Sequence, residues 1–154
     1  MTDGSLTCVL LADRHHGLVE GLRGLLETAF ASVFMVADQH SLLEGVKRLR
    51  PTVTVVDLSL ADGQWIALVK NLKEQAPESK LIVLSLYDEA SVASAAIDAG
   101  ADAFVLKRAA ATDMLDAALA VQRGDAYVSP AVGPLGTALL ARQAEKSRHV
   151  KRTS

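Results

Sequence analysis

Cysteine, aromatic residues and long apolar runs are all scarce in this 154-residue chain. The single cysteine, Cys8, excludes a disulfide framework and any metal or redox site built on paired cysteines. Aromatic residues make up only 4% of the sequence, so leucine, valine and alanine must fill the core. No apolar run reaches the ~18 residues of a membrane-spanning helix, and the N-terminus lacks the basic start of a signal peptide. We therefore expect a soluble, cytoplasmic protein with no membrane partner.

An excess of positive charge is also missing, since the formal net charge is −2. This excludes a protein that coats nucleic acid through a uniformly basic surface. Residues 142–154 are nevertheless basic, whereas the preceding 141 residues are acidic overall. Leu135, Leu139 and Leu140 suggest a helix that leads into this tail. We predict one acidic domain over residues 1–128 and a C-terminal helix with a basic linker or tail over residues 129–154.

Five nearly continuous apolar runs of strand length recur along the chain. Such runs are typical of strands buried on both faces of a parallel sheet. Amphipathic helical patterns lie between them, which predicts an α/β fold with helices on both faces of a doubly wound, five-stranded parallel sheet in the order 2-1-3-4-5. Asp38 or Ser41 is expected to cap the second helix and Thr112 the fifth. The predicted strands are Leu6–Ala12, Val33–Ala37, Val53–Asp57, Leu81–Leu86 and Ala103–Leu106.

Polar side chains end four of these strands, and the carboxyl ends of parallel strands are where such sheets bind ligands. They are Asp13, Asp57, Ser85 and Lys107. Taken singly, Asp13 and Ser85 suit helix caps and Lys107 suits a surface lysine. Taken together, they suit phosphoryl transfer: a carboxylate accepts the group, a divalent cation neutralises charge, and a lysine holds the phosphate oxygens.

The segments that carry these residues resemble the receiver domain of bacterial two-component response regulators, in particular the NarL/FixJ type with a helix-turn-helix output domain. The resemblance runs from about Thr7 to Pro130. The segments are Val9-Leu-Leu-Ala-Asp13, Gly21-Leu-Arg-Gly-Leu-Leu-Glu27, Val55-Val-Asp57-Leu-Ser-Leu60, Ile82-Val-Leu-Ser85 and Ala99-Gly-Ala-Asp-Ala-Phe-Val-Leu-Lys107.

This resemblance implies a role for each matching residue. Asp57 would be the phosphoacceptor. Asp13, Asp57 and the backbone carbonyl of Ser59 would bind Mg²⁺. Ser85 and Lys107 would bind the phosphate, and Phe104 would be the switch aromatic.

Four positions depart from the family pattern. Arg14 stands where the family has a second acid that ligates the metal; a guanidinium cannot ligate Mg²⁺, so we predict weak Mg²⁺ binding that recovers in Arg14→Asp. Two alternatives for Arg14 stay open: it neutralises the phosphate, or it pairs with Asp57 and mimics the charged state. Ala61 and Trp65 replace a proline and a glycine of the acceptor loop, and Arg108 replaces the proline after Lys107.

The resemblance implies a non-enzymatic response-regulator domain that takes a phosphoryl group from a sensor histidine kinase and switches a partner surface. It also implies a homodimer and, in a longer parent protein, a DNA-binding transcriptional regulator; the few residues after Gly124 cannot build a helix-turn-helix, so this chain itself is not expected to bind nucleic acid. One alternative is a pseudo-receiver that signals through phosphorylation-independent contacts.

A second alternative is a flavodoxin-like module that binds flavin or cobalamin. Asp13-Arg-His-His16 offers no phosphate cradle, and Leu18 stands where the cobalamin motif needs glycine. His15 and His16 are therefore assigned to the start of a helix and Cys8 to the core. Tyr87 and Trp65 are left open between packing and a partner surface.

Overall fold

The computed structural model describes residues 7–133, which form alternating strands and helices. The sixth helix and the basic tail predicted beyond Gly133 lie outside the described residues. No helix within residues 7–133 is long and apolar enough to cross a membrane. The strands are β1 (Cys8–Ala12), β2 (Ser32–Val36), β3 (Val53–Asp57), β4 (Lys80–Ser85), β5 (Ala103–Leu106) and β6 (Tyr127–Val128). The helices are α1 (His16–Leu26), α2 (Gln39–Leu49), α3 (Trp65–Gln75), α4 (Ala90–Ala99) and α5 (Ala110–Gln122).

All strands are parallel, and their order in the sheet is β2-β1-β3-β4-β5-β6. The predicted order of the first five strands is confirmed. The prediction of five strands in total is one short, because Tyr127–Val128 also joins the sheet. The Tyr127 amide donates to the Asp102 carbonyl at 3.4 Å and the Ser129 amide to the Phe104 carbonyl at 2.9 Å. A two-residue strand is too short to produce a recognisable apolar run.

Each face of the sheet is covered by helices. Alternate residues of β1 point to opposite faces, so Leu10 belongs to the core layer that includes α2, α3 and α4, whereas Leu11 belongs to the layer that includes α1 and α5. The central strands are therefore buried on both sides, as their continuous apolar sequence indicates. Cys8, assigned to the core from sequence, is only partly buried because it begins the first strand.

Sequence signals locate most helix ends. The Asp38 carboxylate caps α2 by accepting from the Ser41 amide at 2.7 Å. The prediction of Thr112 as the cap of α5 is wrong, because the 3-10 turn Lys107–Ala109 leads directly into the helix at Ala110. Gly100 ends α4 in a left-handed conformation, with φ of 119°, as its glycine predicts.

Substitution of Gly100 tests that conformation. We expect Gly100→Ala to lower the free energy of unfolding by about 1–3 kcal/mol, because alanine is strained at positive φ. Its Cβ would also lie 3.0 Å from Cγ of Lys73. Gly24→Ala, an exposed position within α1 with open space around it, is the matched control and should be neutral or stabilising. Denaturant unfolding measures both; equal effects would contradict this account.

The segment after α5 is tied back to β5 by a buried polar network. The Ser129 hydroxyl donates to Asp113 at 2.8 Å and accepts from the Leu106 amide at 3.0 Å. Burial, together with the charge of Asp113, raises the pKa of the Tyr127 phenol to about 12. These hydrogen bonds hold Ser129 against α5 and the end of β5.

Candidate functional site

The carboxyl edge of the sheet brings together two aspartates and one lysine from three strands. Asp13 follows β1, Asp57 ends β3 and Lys107 follows β5. The Lys107 ammonium lies 2.7 Å from Oδ2 of Asp57 and 3.1 Å from each carboxylate oxygen of Asp13. All three side chains are buried, with Lys107 only 7% exposed. Lys107 is thus the counter-ion of two desolvated carboxylates rather than a surface lysine.

Asp57 is held in its ionised form by the groups around it. Burial alone would raise the pKa of this carboxyl, but hydrogen bonds from Lys107 and Ser59 outweigh burial and hold the pKa below its ordinary value. The Ser59 hydroxyl donates to Oδ2 at 2.7 Å and the Ser59 amide to Oδ1 at 3.2 Å. An anionic carboxylate oxygen is the form that a nucleophile needs. Only the backbone carbonyl of Ser59 was expected at this site from the sequence, and the hydroxyl was not.

His15 is the second group that the sequence analysis missed at this edge. It precedes α1, as predicted, but its side chain makes no capping hydrogen bond. Instead, its Nδ1 lies 3.0 Å from Oδ1 of Asp13 and 3.7 Å from Oδ2 of Asp57, and it contacts the Lys107 ammonium. The only sequence signal was its position two residues after Asp13, which the His15 amide also binds at 2.9 Å.

Arg14 lies away from this cluster. Its guanidinium is about half exposed, and its acidic partner in the described chain is Asp62 at 4.0 Å, not Asp57. An exposed ion pair of this length contributes little to stability. The positive charge beside Asp57 therefore belongs to Lys107, whereas position 14 supplies neither a ligand nor a counter-ion there.

Ser85, the remaining strand-end residue, faces the loop after β4. It is buried, and its hydroxyl accepts from the Tyr87 amide at 2.9 Å and contacts the Tyr87 carbonyl at 3.2 Å. It does not cap α4, which begins only at Ala90. Ser85 and Asp57 line the same cavity of about 580 Å³, together with Trp65 and Tyr87. A phosphate-sized group has room beside Asp57 on this side.

Phe104, Trp65 and Tyr87 differ in how far their side chains are exposed. Phe104 is completely buried within β5. Trp65 begins α3, is partly buried and packs against the core under the cavity. Tyr87 is 63% exposed at the cavity rim beside Leu86.

The donor atoms at this edge suit a divalent cation. Oδ2 of Asp13 is buried and receives no hydrogen bond, although Lys107 lies 3.1 Å away. Donor atoms of Asp13, His15 and Asp57 all lie within 4.8 Å of one another. Buried carboxylate oxygens without a proton donor are normally paired with a cation, and carboxylate oxygens are common ligands of divalent metal ions.

Comparison with known proteins agrees with this geometry. The transcriptional regulatory protein RcsB of Escherichia coli (strain K12) is 30% identical over 132 residues, which are 82% of this chain and 61% of that protein. The crystal structure of the non-phosphorylated receiver domain of the stress response regulator RcsB from E. coli superposes with a TM-score of 0.72 at 30% identity, covering 79% of this chain and 97% of that one. A structure of two RcsB dimers bound to two parallel DNAs superposes with a TM-score of 0.70 at 30% identity, over 82% of this chain and 64% of that one.

The chain spans between 53% and 61% of the length of curated relatives that it matches. These relatives are transcriptional regulatory proteins, as the resemblance of the sequence implies. The family model of the response regulator receiver domain matches residues 9–119, which contain every residue of the cluster described above. This chain therefore belongs to the response regulator receiver domain family.

Proposed function

We propose that this domain accepts a phosphoryl group on Asp57 from a phosphohistidine of a sensor histidine kinase. The observation that carries the proposal is the position of the Asp57 carboxylate, which is buried at the end of the central strand and held ionised between Lys107 and Ser59. It also opens onto the cavity shared with Ser85. In such a transfer, a carboxylate oxygen bonds to phosphorus, the phosphorus–nitrogen bond breaks, and the departing imidazole takes up a proton.

The site residues then have distinct roles. Lys107 stays close to the phosphoryl oxygens and offsets their charge. Ser85 exchanges its hydrogen bond with Tyr87 for one to the phosphoryl group, which draws the loop after β4 inward and changes the exposed rim at Tyr87. Asp13, Asp57 and the backbone carbonyl of Ser59 would hold a divalent cation, which supplies positive charge to the transferring group. Phe104 is completely buried in β5, so its ring can change position on phosphorylation only if the neighbouring side chains move as well.

The proposal extends to the parent protein through its relatives. RcsB is a transcriptional regulatory protein, and one of its structures contains dimers bound to DNA. We infer that residues 1–128 are the receiver of a cytoplasmic, dimeric transcriptional regulator of a two-component system. Residues 129–154 would then join it to a DNA-binding domain. The family match favours this function over a flavin- or cobalamin-binding module.

Phosphorylation at Asp57 is directly testable. After incubation with acetyl phosphate and a divalent cation, intact-mass analysis is expected to show one added phosphoryl group that maps to Asp57. Asp57→Asn should abolish it, because an amide is not nucleophilic enough to accept the group. Asp62→Asn, in the same loop but exposed, is the matched control and should retain the label. Label that persists in Asp57→Asn would place the acceptor elsewhere; no label under any condition would favour the pseudo-receiver.

A further inference from the structure

Three donor atoms in this site already surround one positive charge. The Lys107 ammonium contacts Oδ1 of Asp13, Oδ2 of Asp57 and Nδ1 of His15. Two of these atoms are carboxylate oxygens, but the third is an imidazole nitrogen. The ammonium therefore marks a point at which a cation lies among two carboxylate oxygens and one imidazole nitrogen.

The imidazole of His15 is oriented as a ligand. Nδ1 of His15 contacts the Lys107 ammonium and lies 3.0 Å from Oδ1 of Asp13, so this ring nitrogen faces the cluster. A neutral imidazole that carries its proton on Nε2 can bind a metal ion through Nδ1. The ring is 55% exposed, so it can adjust its position without disturbing the core.

The spacing of the donor atoms agrees with a single ion between them. Nδ1 of His15 lies 3.0 Å from Oδ1 of Asp13 and 3.7 Å from Oδ2 of Asp57. Two ligands bound at ~2.1 Å from one ion lie ~3.0 Å apart at a right angle and ~3.4 Å apart at the tetrahedral angle. Only small side-chain movements separate the observed positions from this geometry.

A second observation also points to a cation. The Asp13 side chain is completely buried, and its Oδ2 accepts no hydrogen bond. An anionic oxygen in that position is costly unless a cation binds it. The Lys107 ammonium lies 3.1 Å from Oδ2 but donates its hydrogen bond to Oδ1, so Oδ2 has a nearby positive charge and no hydrogen-bond donor.

The residue that would favour Mg²⁺ is absent. Arg14 follows Asp13 and pairs with exposed Asp62, so it adds no oxygen donor. Mg²⁺ requires nearly ideal octahedral oxygen coordination, whereas imidazole favours zinc and neighbouring first-row transition metals.

We propose that this site binds a first-row transition-metal ion through Asp13, Asp57 and His15 in preference to Mg²⁺. The inference deepens the proposed function by naming the class of ion at the same site, and it rests on that function only in sharing Asp57. The ion displaces the Lys107 ammonium, whose flexible stem lets it withdraw toward the phosphoryl position. His15 is then a metal ligand rather than only the residue that precedes α1.

Calorimetric titration of the full chain with Zn²⁺, Co²⁺ and Mg²⁺ tests this selectivity. Zn²⁺ and Co²⁺ are expected to bind at least about tenfold more tightly than Mg²⁺. His15→Ala should weaken Zn²⁺ and Co²⁺ at least about tenfold and change Mg²⁺ by less than about threefold, since only the nitrogen donor is lost. The visible spectrum of the Co²⁺ complex should change in the same variant, which a merely structural role of His15 would not produce.

Controls separate this site from other metal-binding groups. His40→Ala removes an exposed histidine on α2 and should leave all three affinities unchanged. Arg14→Asp restores an acid at position 14 and should raise Mg²⁺ affinity by about tenfold or more. Circular dichroism checks that each variant is folded, and His15→Gln provides a second variant if His15→Ala is not.

Three results would overturn the inference. They are Mg²⁺ binding as tight as Zn²⁺ in the wild type, unchanged Zn²⁺ affinity in His15→Ala, and no binding of any of the ions. None of these decides whether Asp57 accepts a phosphoryl group, because that is read independently by intact mass. Conversely, selective Zn²⁺ binding with no label on Asp57 would leave the metal site standing and reject the proposed function.

Discussion

Replacement of Lys107 by methionine is expected to lower the free energy of unfolding by about 3–5 kcal/mol at neutral pH, because removing one partner of a buried ion pair leaves the other charge uncompensated. Two carboxylates lose their counter-ion in this variant, since Lys107 lies within 3.1 Å of both Asp13 and Asp57. Methionine has a similar length and fills most of the same volume, so the charge rather than a cavity accounts for the change.

The same substitution should alter the pH dependence of stability. In the wild type, the pKa of Asp57 is lowered below its ordinary value of 3.8. A group with a depressed pKa contributes stability above that ordinary value and loses it as the pH falls through the folded-state pKa. Without Lys107, no ammonium offsets the effect of burial on Asp57, so the pKa of Asp57 rises. The variant then takes up its proton at a higher pH than the wild type, so the difference in stability between them narrows on acidification.

Guanidinium unfolding in the presence of a chelator, at neutral pH and at several mildly acidic values, measures both effects. Lys70→Met is the matched control, because Lys70 lies exposed on α3 and its charge is solvated. A Lys107→Met variant no less stable than Lys70→Met would show that the two aspartates do not depend on this ammonium. A stability difference between Lys107→Met and the wild type that stays constant with pH would contradict the proposed change in the pKa of Asp57.

Truncation of Phe104 to alanine is the second large expected effect, at about 3–5 kcal/mol. The ring is completely buried in β5, where it lies beside Val83 of β4 and Val128 of β6 in the sheet. It also belongs to the core layer formed with α2, α3 and α4. Removing it leaves a cavity that neighbouring strands cannot close, since their backbones are fixed by the hydrogen bonds of the sheet.

Two further variants make this prediction specific. Phe104→Leu keeps most of the volume and should cost clearly less than Phe104→Ala. Phe34→Ala removes a phenylalanine of β2 that is 43% exposed and should have a small effect. If Phe104→Ala is no more destabilising than Phe34→Ala, the ring is not a packed core residue and has the freedom that a moving switch requires.

The arrangement of strands and helices was predictable because strands that are buried on both faces of the sheet have a recognisable apolar pattern in the sequence. Continuous apolar runs such as Val53–Val56 occur where a strand has no solvent-facing side. The ends of these runs then located Asp57 and Lys107 at one edge, which is a consequence of parallel topology rather than of local pattern. The strand Tyr127–Val128 could not be recognised in this way, because two residues are too few to form an apolar run.

Side-chain direction is what the sequence did not specify. Arg14 and His15 are neighbours, and from the sequence Arg14 was expected to affect the metal site whereas His15 was expected only at the start of a helix. In the structure, the Arg14 guanidinium extends to exposed Asp62, while the His15 ring turns toward Asp13 and Lys107. The deciding difference is the bond from the His15 amide to Asp13, which fixes the backbone at the start of α1.

The exposed position of Arg14 bears on how such a domain can change over evolutionary time. Its side chain fills no part of the packed interior, and its ion pair with Asp62 is long and solvated. Under the metal selectivity proposed above, a substitution at this position changes which ion the adjoining site prefers. It does so without the loss of fold stability that accompanies a change at Asp13 or Lys107. The preferred metal ion can therefore change during evolution while the fold of the domain and its contacts with partners are kept.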